Sequence, residues 1–353
     1  GIHFKALKML MDSDAPLKVS FKDFWPQIPW FWKFLLTSHG SRFQKATDAI
    51  SFLGKNSIKD TKMLLESYDL AEMVDYGGCV FIYDTKKSFN SSKKSWDERS
   101  KRGFSSESLN EELIAKITPT INNKFKYAFL SHEWAKVTEP LDIVESLSIA
   151  AQKRGVIFYK NRVNEISESL NSVLIDTENG SFKYDAVVIA AGIDSISFAK
   201  SLGDFLPMTA ERGYNLTIPS PNIQIDIPIV FADRGIVATS LRSGLRIGGW
   251  AEYANSRRPA NQAYFNSIAR ISQELFPNLS VEGANFWMGS RPSMPDSLPV
   301  ISKSRKMNRV FYNCGHGHYG LTHAATSAKL VCDLLTDDQN LSVSSLFSIN
   351  RFI

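Results

Sequence analysis

Long apolar runs are absent from this sequence of 353 residues, and their absence argues against a membrane-spanning helix. Such a helix needs roughly 18 or more consecutive apolar residues. The most aromatic stretch, FWPQIPWFWKFLL at 24–36, is interrupted by two prolines and a lysine. The start, GIHFKALKMLM, shows neither the basic region nor the cleavage site of a secretory signal. We therefore expect a cytoplasmic protein.

Cysteine is scarce as well, with three residues in the whole chain. Cys79, Cys314 and Cys332 are odd in number, far apart in sequence and free of any C-x-x-C pattern. This usage favours a reducing compartment and argues against structural disulfides or a cysteine zinc site. We expect all three to be small buried hydrophobic residues.

The sequence also lacks a dense basic stripe and any recognisable nucleic-acid-binding motif, so we expect no nucleic-acid partner. The net charge is +5, and residues 1–105 carry 17 Lys or Arg against 12 Asp or Glu, whereas residues 106–353 carry 24 of each. The excess therefore lies in the first third, beside the aromatic stretch. Two interpretations remain open: a solvated helical face, or a peripheral contact with an anionic membrane.

Helical patterns dominate the first 75 residues. Residues 41–70 indicate one or two amphipathic helices with an irregular join near Gly54. The segment YGGCVFIYDT at 76–85 then changes to aromatic and β-branched residues, which predicts a strand. The lysine- and serine-rich segment 86–108 predicts a surface helix and a loop.

Between residues 140 and 200 the pattern is typical of a parallel sheet with helices. A predicted helix at 140–154 leads to a predicted strand VIFYKN at 156–161, and further strands flank a turn at Asn179-Gly180. The run Ala186–Ala191 is continuously apolar, as expected for a strand buried on both faces of a parallel sheet.

Short alternating segments then predict an antiparallel sheet over residues 212–253, covered by a helix at 260–275. The end of the chain returns to a strand in RVFYNCG, a glycine-rich turn in HGHYG and a final helix. One apolar face is predicted for that last helix, formed by Leu321, Ala325, Ala328, Cys332 and Leu335.

The turn NCGHGHYGLT at 313–322 allows three interpretations. It contains G-x-G-x-x-G, but a dinucleotide fingerprint needs a second strand after its helix, ending in an acidic residue, and too few residues remain after that helix. A metal site would use His316, His318 and Cys314, but His323 lies on the predicted helix, no carboxylate lies close in sequence, and we expect no metal. Thirdly, glycines at a helix N-terminus expose backbone N–H groups to a negative charge, such as the one that develops on a reduced flavin.

Five segments occur in an informative order along the chain: YDAVVIAAG, ERGYNLTIP, LRIGGWAE, WMGSRPSMPDSLPVI and GHGHYGLT. Together they resemble the FAD-dependent D-amino-acid oxidase superfamily over essentially the whole sequence. The segments FKALKMLMDSDAPLKV and WFWKFL narrow the resemblance to the bacterial D-amino-acid dehydrogenases of the small-subunit type. The strand, G-x-G-x-x-G turn and helix with which that family opens have no counterpart in these residues.

The resemblance implies a mixed α/β fold, in which an FAD-binding Rossmann-like parallel sheet, its N-terminal unit missing, interleaves with an antiparallel-sheet substrate domain. The implied parts are a helical part of the substrate region at 1–75, the first part of the substrate domain at 76–139, the middle of the FAD-binding domain at 140–205, the antiparallel substrate domain at 206–295, and the last strand and helix of the FAD-binding domain at 296–353.

Three catalytic residues are implied by the resemblance: Arg291, His318 and Tyr214. Arg291 matches an arginine that holds the substrate carboxylate, and a guanidinium suits such a two-point contact. The alternative for Arg291 is a structural ion pair. His318 lines the substrate pocket or points away from it, and Tyr214 binds substrate or is structural.

A set of residues is likewise implied to contact FAD: Val163, Ala191, Gly192, Gly317, His318, Tyr319, Gly320, Leu321 and Thr322. The alternative is sheet packing for the first three and core packing for Leu321.

The implied activity is oxidative deamination of a D-amino acid to a 2-oxo acid and ammonia, with a hydride passing from Cα to flavin N5. Electrons then pass to a quinone or another carrier, and the expected location is the cytoplasm or the inner face of the membrane. The alternatives are an oxidase of glycine, sarcosine or hydroxyproline on the same fold, or a non-catalytic fragment that has lost FAD binding.

Overall fold

The aromatic and β-branched segments between residues 79 and 293 form most of one large mixed sheet. The computed structural model describes residues 17–336 and 344–352. The strands of this sheet are Leu17–Val19 (β1), Cys79–Tyr83 (β3), Ser106–Leu109 (β4), Tyr127–Ser131 (β5), Thr209–Ile218 (β11), Ile229–Phe231 (β12), Ile236–Leu241 (β13), Gly244–Tyr253 (β14) and Asn285–Ser293 (β15). Within the described part of the chain the nine strands have the order β15-β11-β14-β13-β12-β3-β5-β4, with β1 paired to β14. Val74–Asp75 (β2) and Lys136–Val137 (β6) form a separate antiparallel pair.

The chain divides into two units, each composed of three segments of sequence. The first unit contains most of the large sheet and covers residues 17–21, 69–146 and 212–289 of the described chain. The second covers residues 22–68 and 147–211, and its third segment is described at 290–336 and 344–352. This division differs from the predicted one, which placed 1–75 with the substrate region, because residues 22–68 belong here to the second unit.

Among the described helices, the first unit contains Lys86–Lys101 (α3), Glu111–Ile117 (α4), Gln262–Leu275 (α7) and the first half of Pro140–Lys153 (α5). The predicted cover of the antiparallel sheet is confirmed, since Phe265, Ile268 and Ile271 of α7 share one core with strand residues such as Ile247. In its second half β14 alternates buried with half-buried positions, which is typical of a sheet that carries a helix on one face.

In the second unit, a parallel pair is the centre of a three-stranded sheet. Val187–Ile189 (β10) pairs parallel with Val310–Cys314 (β17), and Val300–Lys303 (β16) pairs antiparallel on the other side of β17. The helix Ser195–Ser201 (α6) follows β10, and Gly320–Leu335 (α8) follows β17. The predicted mixed α/β fold, with a parallel and an antiparallel part, is confirmed.

Two long helices precede this sheet in sequence, Phe21–Thr37 (α1) and Gly40–Glu66 (α2). The irregular join predicted near Gly54 is wrong, because α2 is continuous through that residue. Asp60 of α2 is buried and accepts hydrogen bonds from Thr326 Oγ1 at 2.8 Å and Lys329 Nζ at 2.9 Å, both on α8. These bonds attach α2 to the last helix of the second unit.

A three-stranded antiparallel meander completes this unit, formed by Val163–Ser169 (β7), Ser172–Thr177 (β8) and Gly180–Tyr184 (β9). Gly180 adopts a φ of +123°, which only glycine adopts readily, so the predicted Asn179-Gly180 turn is confirmed.

Three local predictions about burial and strand formation are wrong. The segment 156–161 forms no strand, and Ile157 is among its exposed apolar residues. The run 186–191 is not buried throughout, because β10 is an edge strand among the described residues and only Ile189 is fully buried. Cys79 and Cys314 are buried as expected, but Cys332 is exposed.

The predicted apolar face of α8 is also wrong, since of its five residues only Ala325 is buried. The buried residues of α8 are His323, Ala325, Thr326, Ser327 and Val331. Polar residues on this face pack against α2 because Asp60 supplies them with a hydrogen-bond acceptor. The segment FKALKMLMDSDAP of the resemblance lies outside the described residues.

Candidate active site

The glycine-rich turn between β17 and α8 has a backbone shape that its glycines make possible. Gly315 and Gly317 have φ values of +78° and +53°. A Cβ on Gly315 would lie 2.7 Å from Met294 Cγ, closer than side chains tolerate. Residues Gly317–Tyr319 then form one turn of 3-10 helix that leads directly into α8.

This turn is open to its surroundings where α8 begins. A Cβ placed on Gly317 or Gly320 would meet only Ser293 Oγ at 3.7 Å or His316 Cβ at 3.9 Å, respectively. Tyr319 and Leu321 are exposed, and the N-cap residue of α8 makes no side-chain capping bond. The first N–H groups of a helix have no partner within it and attract negative charge, so the turn can receive an anionic group.

A buried carboxylate joins the turn to β15. Glu211, near the start of β11, accepts a hydrogen bond on Oε1 from Arg291 Nη1 at 3.1 Å and contacts His318 Nε2 at 2.5 Å. Its Oε2 accepts a hydrogen bond from Ser293 Oγ at 2.7 Å. All four residues belong to the second unit. The structure therefore brings two of the predicted catalytic residues, Arg291 and His318, onto one acidic side chain.

The partners of Glu211 keep it ionised. Burial alone raises the pKa of a carboxyl group, but the hydrogen bonds and charges of His318 and Arg291, with the hydroxyl of Ser293, lower the pKa of Glu211 to about 2. Only 6% of its side chain is exposed, whereas Arg291 is 25% and His318 50% exposed. Arg291 and His318 are therefore the exposed members of the cluster, and both are held by the buried, ionised carboxylate of Glu211.

Glu211 and Ser293 were missed by sequence reasoning. Glu211 occupies a buried position in the strand TAERGYNLTI, where an ionised side chain needs a partner. That acidic residue inside a strand was the available signal. Its partners, however, come from positions 80 to 107 residues further along the chain, so their identity depended on the tertiary structure.

Of the other two histidines of the motif, His323 is buried and His316 is half-buried, and both are uncharged at neutral pH. His316 Nε2 lies 2.9 Å from Ser327 Oγ on α8. Burial, together with the neighbouring His323, lowers the pKa of His316 to about 4, and burial lowers the pKa of His323 to about 4. In the described part of the chain, no three His, Cys, Asp or Glu side chains gather as a metal would require.

Tyr214 has a structural environment in the first unit. It is 1% exposed, donates a hydrogen bond to Glu252 Oε2 at 2.7 Å, and accepts one from the Asn261 N–H at 3.3 Å. Burial and the bond to Glu252 raise its pKa. Arg212, also buried, lies 3.4 Å from the same carboxylate. This arrangement favours the structural interpretation of Tyr214 over contact with a substrate.

The remaining predicted cofactor residues lie elsewhere in the second unit. Ala191 is exposed, and Gly192, with a φ of +56°, would have no atom within 4 Å of a Cβ. Because β10 and β17 are parallel and pair Ile189 with Tyr312, the turns that follow them emerge at the same edge of the sheet. Val163 is half-buried on β7 and packs against the core of this unit.

Comparison with protein families gives a match over most of the chain. The model described as "DAO: FAD dependent oxidoreductase" matches residues 36–334. The chain belongs to this DAO family. As a DAO-family protein it is an FAD-dependent oxidoreductase, which confirms the family, the enzyme class and the cofactor that the sequence motifs implied.

Curated relatives of this DAO-family chain carry two kinds of name. A "D-amino-acid oxidase" of Bradyrhizobium diazoefficiens is 28% identical and aligned over 100% of this chain and 85% of the relative. A "D-amino acid dehydrogenase" of Neisseria meningitidis serogroup C is also 28% identical, over 100% and 86%. One of the same name from Vibrio cholerae is 26% identical, over 96% and 82%.

Solved structures show the same fold at lower identity. Glycine oxidase from Geobacillus kaustophilus superposes with a TM-score of 0.75 at 20% identity, covering 85% of this chain and 83% of that one. L-proline dehydrogenase from P. horikoshii gives a TM-score of 0.74 at 17% identity, covering 85% and 82%.

The glycine turn fits a flavin. Positions without close Cβ contacts let a planar ring approach the backbone, and the uncapped start of α8 offers N–H groups to the flavin edge that becomes negative on reduction. These features make the DAO-family turn a suitable holder for the flavin end of FAD.

Proposed function

We propose that this chain oxidatively deaminates a D-amino acid to a 2-oxo acid and ammonia. The observation that carries the proposal is the sharing of the buried Glu211 carboxylate by Arg291 and His318, the second of which lies in the glycine turn. The names of the curated relatives support a D-amino acid as the substrate.

Arg291 is proposed to hold the carboxylate of the substrate. Its bond to Glu211 fixes the guanidinium, and its partial exposure leaves it accessible to a ligand. A planar guanidinium can bind a carboxylate through two parallel hydrogen bonds and so orient the Cα–H bond. His318, half-exposed and attached to the same carboxylate, is proposed to line the pocket beside the substrate.

Bound FAD supplies the acceptor for the hydride that leaves Cα. Gly317, His318, Tyr319, Gly320, Leu321 and Thr322 are proposed to hold its flavin end. The backbone of Val163 is proposed to meet the adenine, and Ala191 and Gly192 to form a turn that passes close to FAD. No side chain has to remove a proton from carbon, because the lone pair of a neutral amine assists departure of the hydride. Water then hydrolyses the resulting imino acid.

The proposal includes a quinone or another carrier as the electron acceptor. It also includes a cytoplasmic location with a peripheral contact at the inner face of the membrane. None of the helices in the described residues is long and apolar enough to cross a membrane.

The flavin spectrum of the purified chain with added FAD tests this function. We expect a bound flavin band that D-alanine bleaches under anaerobic conditions and that L-alanine does not. Arg291→Ala should keep the band but slow bleaching at least about a hundredfold, since one charge-assisted two-point contact is lost. Arg257→Ala, which alters an exposed arginine of the first unit, is the matched control.

Each alternative has its own outcome in that experiment. Bleaching by glycine, sarcosine or hydroxyproline, with no response to D-alanine, would replace the proposal with an oxidase of that type. Absence of any bound flavin at excess FAD would mean that these residues alone form a non-catalytic fragment.

A further inference from the structure

Helix α1 is apolar on two opposite faces. Trp30 is buried, stacks on Phe34 at 5.5 Å and donates a hydrogen bond from Nε1 to the Ser293 carbonyl at 3.1 Å. Thr37 Oγ1 donates to the Pro295 carbonyl at 2.8 Å. Through these contacts one face of α1 packs on the segment that follows Arg291, within the second unit.

The opposite face of α1 is exposed and equally apolar. Its residues follow one another at helical spacing, so they form one stripe: Trp25, Ile28, Trp32, Leu35 and Leu36. The two tryptophans are 75% and 62% exposed. Phe43, in the first turn of α2, is exposed as well. A helix that is apolar all round ordinarily has both faces covered, so this stripe indicates a partner.

Positive charge predominates in the sequence around the stripe. Residues 22–47 contain four Lys or Arg and one Asp. Arg42 and Lys45, near the start of α2, are exposed. This charge complements an anionic surface, whereas a second copy of the same face would bring the cations of both copies together. Tryptophan is also the side chain that prefers the boundary between lipid headgroups and acyl chains.

We propose that the stripe of α1 docks on the surface of an anionic lipid bilayer, with Trp25 and Trp32 inserted at headgroup depth and Arg42 and Lys45 on the headgroups. An interfacial helix of this kind lies in the plane of the membrane and needs no spanning length. This inference rests on the membrane contact of the proposed function and names the surface that makes it. Its test does not depend on the proposed reaction, because lipid binding is measured without turnover.

Co-flotation with vesicles of phosphatidylcholine containing phosphatidylglycerol tests the proposal on the full chain with FAD added. We expect binding that falls as salt is raised and that weakens on vesicles of phosphatidylcholine alone. Replacing both tryptophans in W25S/W32S should weaken binding at least about tenfold, because each ring loses its apolar contact with lipid. W287S changes a tryptophan of similar exposure, 61%, and should bind as the unaltered chain does.

The role of charge is tested by a second pair of variants on one helix. R42E/K45E should lose binding to the anionic vesicles, whereas K55E/K59E, which makes the same change of charge at exposed positions further along α2, should retain most of it. Equal binding by W25S/W32S and the unaltered chain would overturn the proposal. A second outcome would also overturn it: the unaltered chain is a dimer that does not bind lipid, and W25S/W32S is a monomer. The stripe would then be an interface between copies of the chain.

Discussion

Arg291, Ser293 and His318 all lie within hydrogen-bonding distance of the Glu211 carboxylate. Removing the charge of Glu211 would affect Arg291 most directly. Arg291 would be left beside a neutral amide, and its guanidinium would lose a fixed orientation. Glu211 does not itself face outward, so it acts through the residues that it holds. It is therefore a positioning residue in the proposed reaction.

Substitution of Glu211 by Gln preserves the shape of the side chain and removes its charge. We expect kcat/KM for D-alanine to fall about 10- to 100-fold, mainly through KM, because the carboxylate-binding arginine becomes mobile. We also expect a loss of stability of about 1–3 kcal/mol, since buried donors lose a charged acceptor. Steady-state kinetics and urea unfolding measure the two effects.

Two control variants separate positioning from general destabilisation. Ser293→Ala removes one donor and leaves the carboxylate, so it should have a smaller effect on KM. Glu282→Gln changes an exposed acid in the first unit and should change neither quantity. If Glu211→Gln lowered stability and left KM unaltered, Arg291 would be a structural ion pair, the alternative that the motif by itself left open.

At the scale of elements, α2 and α8 are joined by a polar contact inside an apolar interface. Leu53 and Val331 belong to the same core, and Asp60 lies among these residues with two donors from α8. Because α8 begins at the glycine turn, this contact also fixes the position of the turn. A buried acid with two partners is costly to disturb, since the partners remain in place without an acceptor.

Asp60→Ala should lower the free energy of unfolding by about 2–4 kcal/mol. Glu66→Ala, on the same helix, breaks an exposed pair with Lys62 at 3.8 Å and should cost no more than about 0.5 kcal/mol. Chemical denaturation followed by tryptophan fluorescence measures both. Equal losses for the two variants would show that the buried contact contributes no more than an exposed helical ion pair.

For the whole molecule, three groups that are buried or half-buried shift stability with pH in the same direction. The pKa values of His316 and His323 are lowered from 6.5 to about 4, and that of Glu211 from 4.5 to about 2. In each case the unfolded chain binds a proton more readily than the folded chain does. The histidines therefore contribute stability above pH 6.5 that is lost as the pH falls towards about 4, and Glu211 contributes stability above 4.5 that is lost towards about 2.

Acidification from about pH 7 to about pH 5 should lower the free energy of unfolding by about 2 kcal/mol for each of these two histidines. His316→Gln should reduce the fall by about that amount, because one of the groups is removed. His39→Gln, at an exposed position of the chain, should lose as much free energy of unfolding on acidification as the unaltered protein does. Urea titrations at the two pH values measure the difference, and identical falls for His316→Gln and the unaltered chain would contradict the assignment.

The amino-acid sequence by itself determined the mixed α/β fold, the order of its strands and helices after residue 163, and the glycine turn before α8. These features depend on local patterns: the alternating burial in the second half of β14, the Asn179-Gly180 turn, and glycines that tolerate positive φ. The motifs around Arg291 and Gly317 likewise indicated the family, because they lie in continuous segments.

Only the tertiary structure decided which residues face each other. It paired Arg291 and His318 with Glu211, gave Tyr214 a buried partner in Glu252, and left the segment 156–161 without a strand to pair with among the described residues. It also turned the polar side of α8 inward, because Asp60 of a distant helix lies there. The physical reason is common to these cases: a strand, an ion pair or a buried polar face is stable only with its partner, and each partner comes from a remote part of the chain.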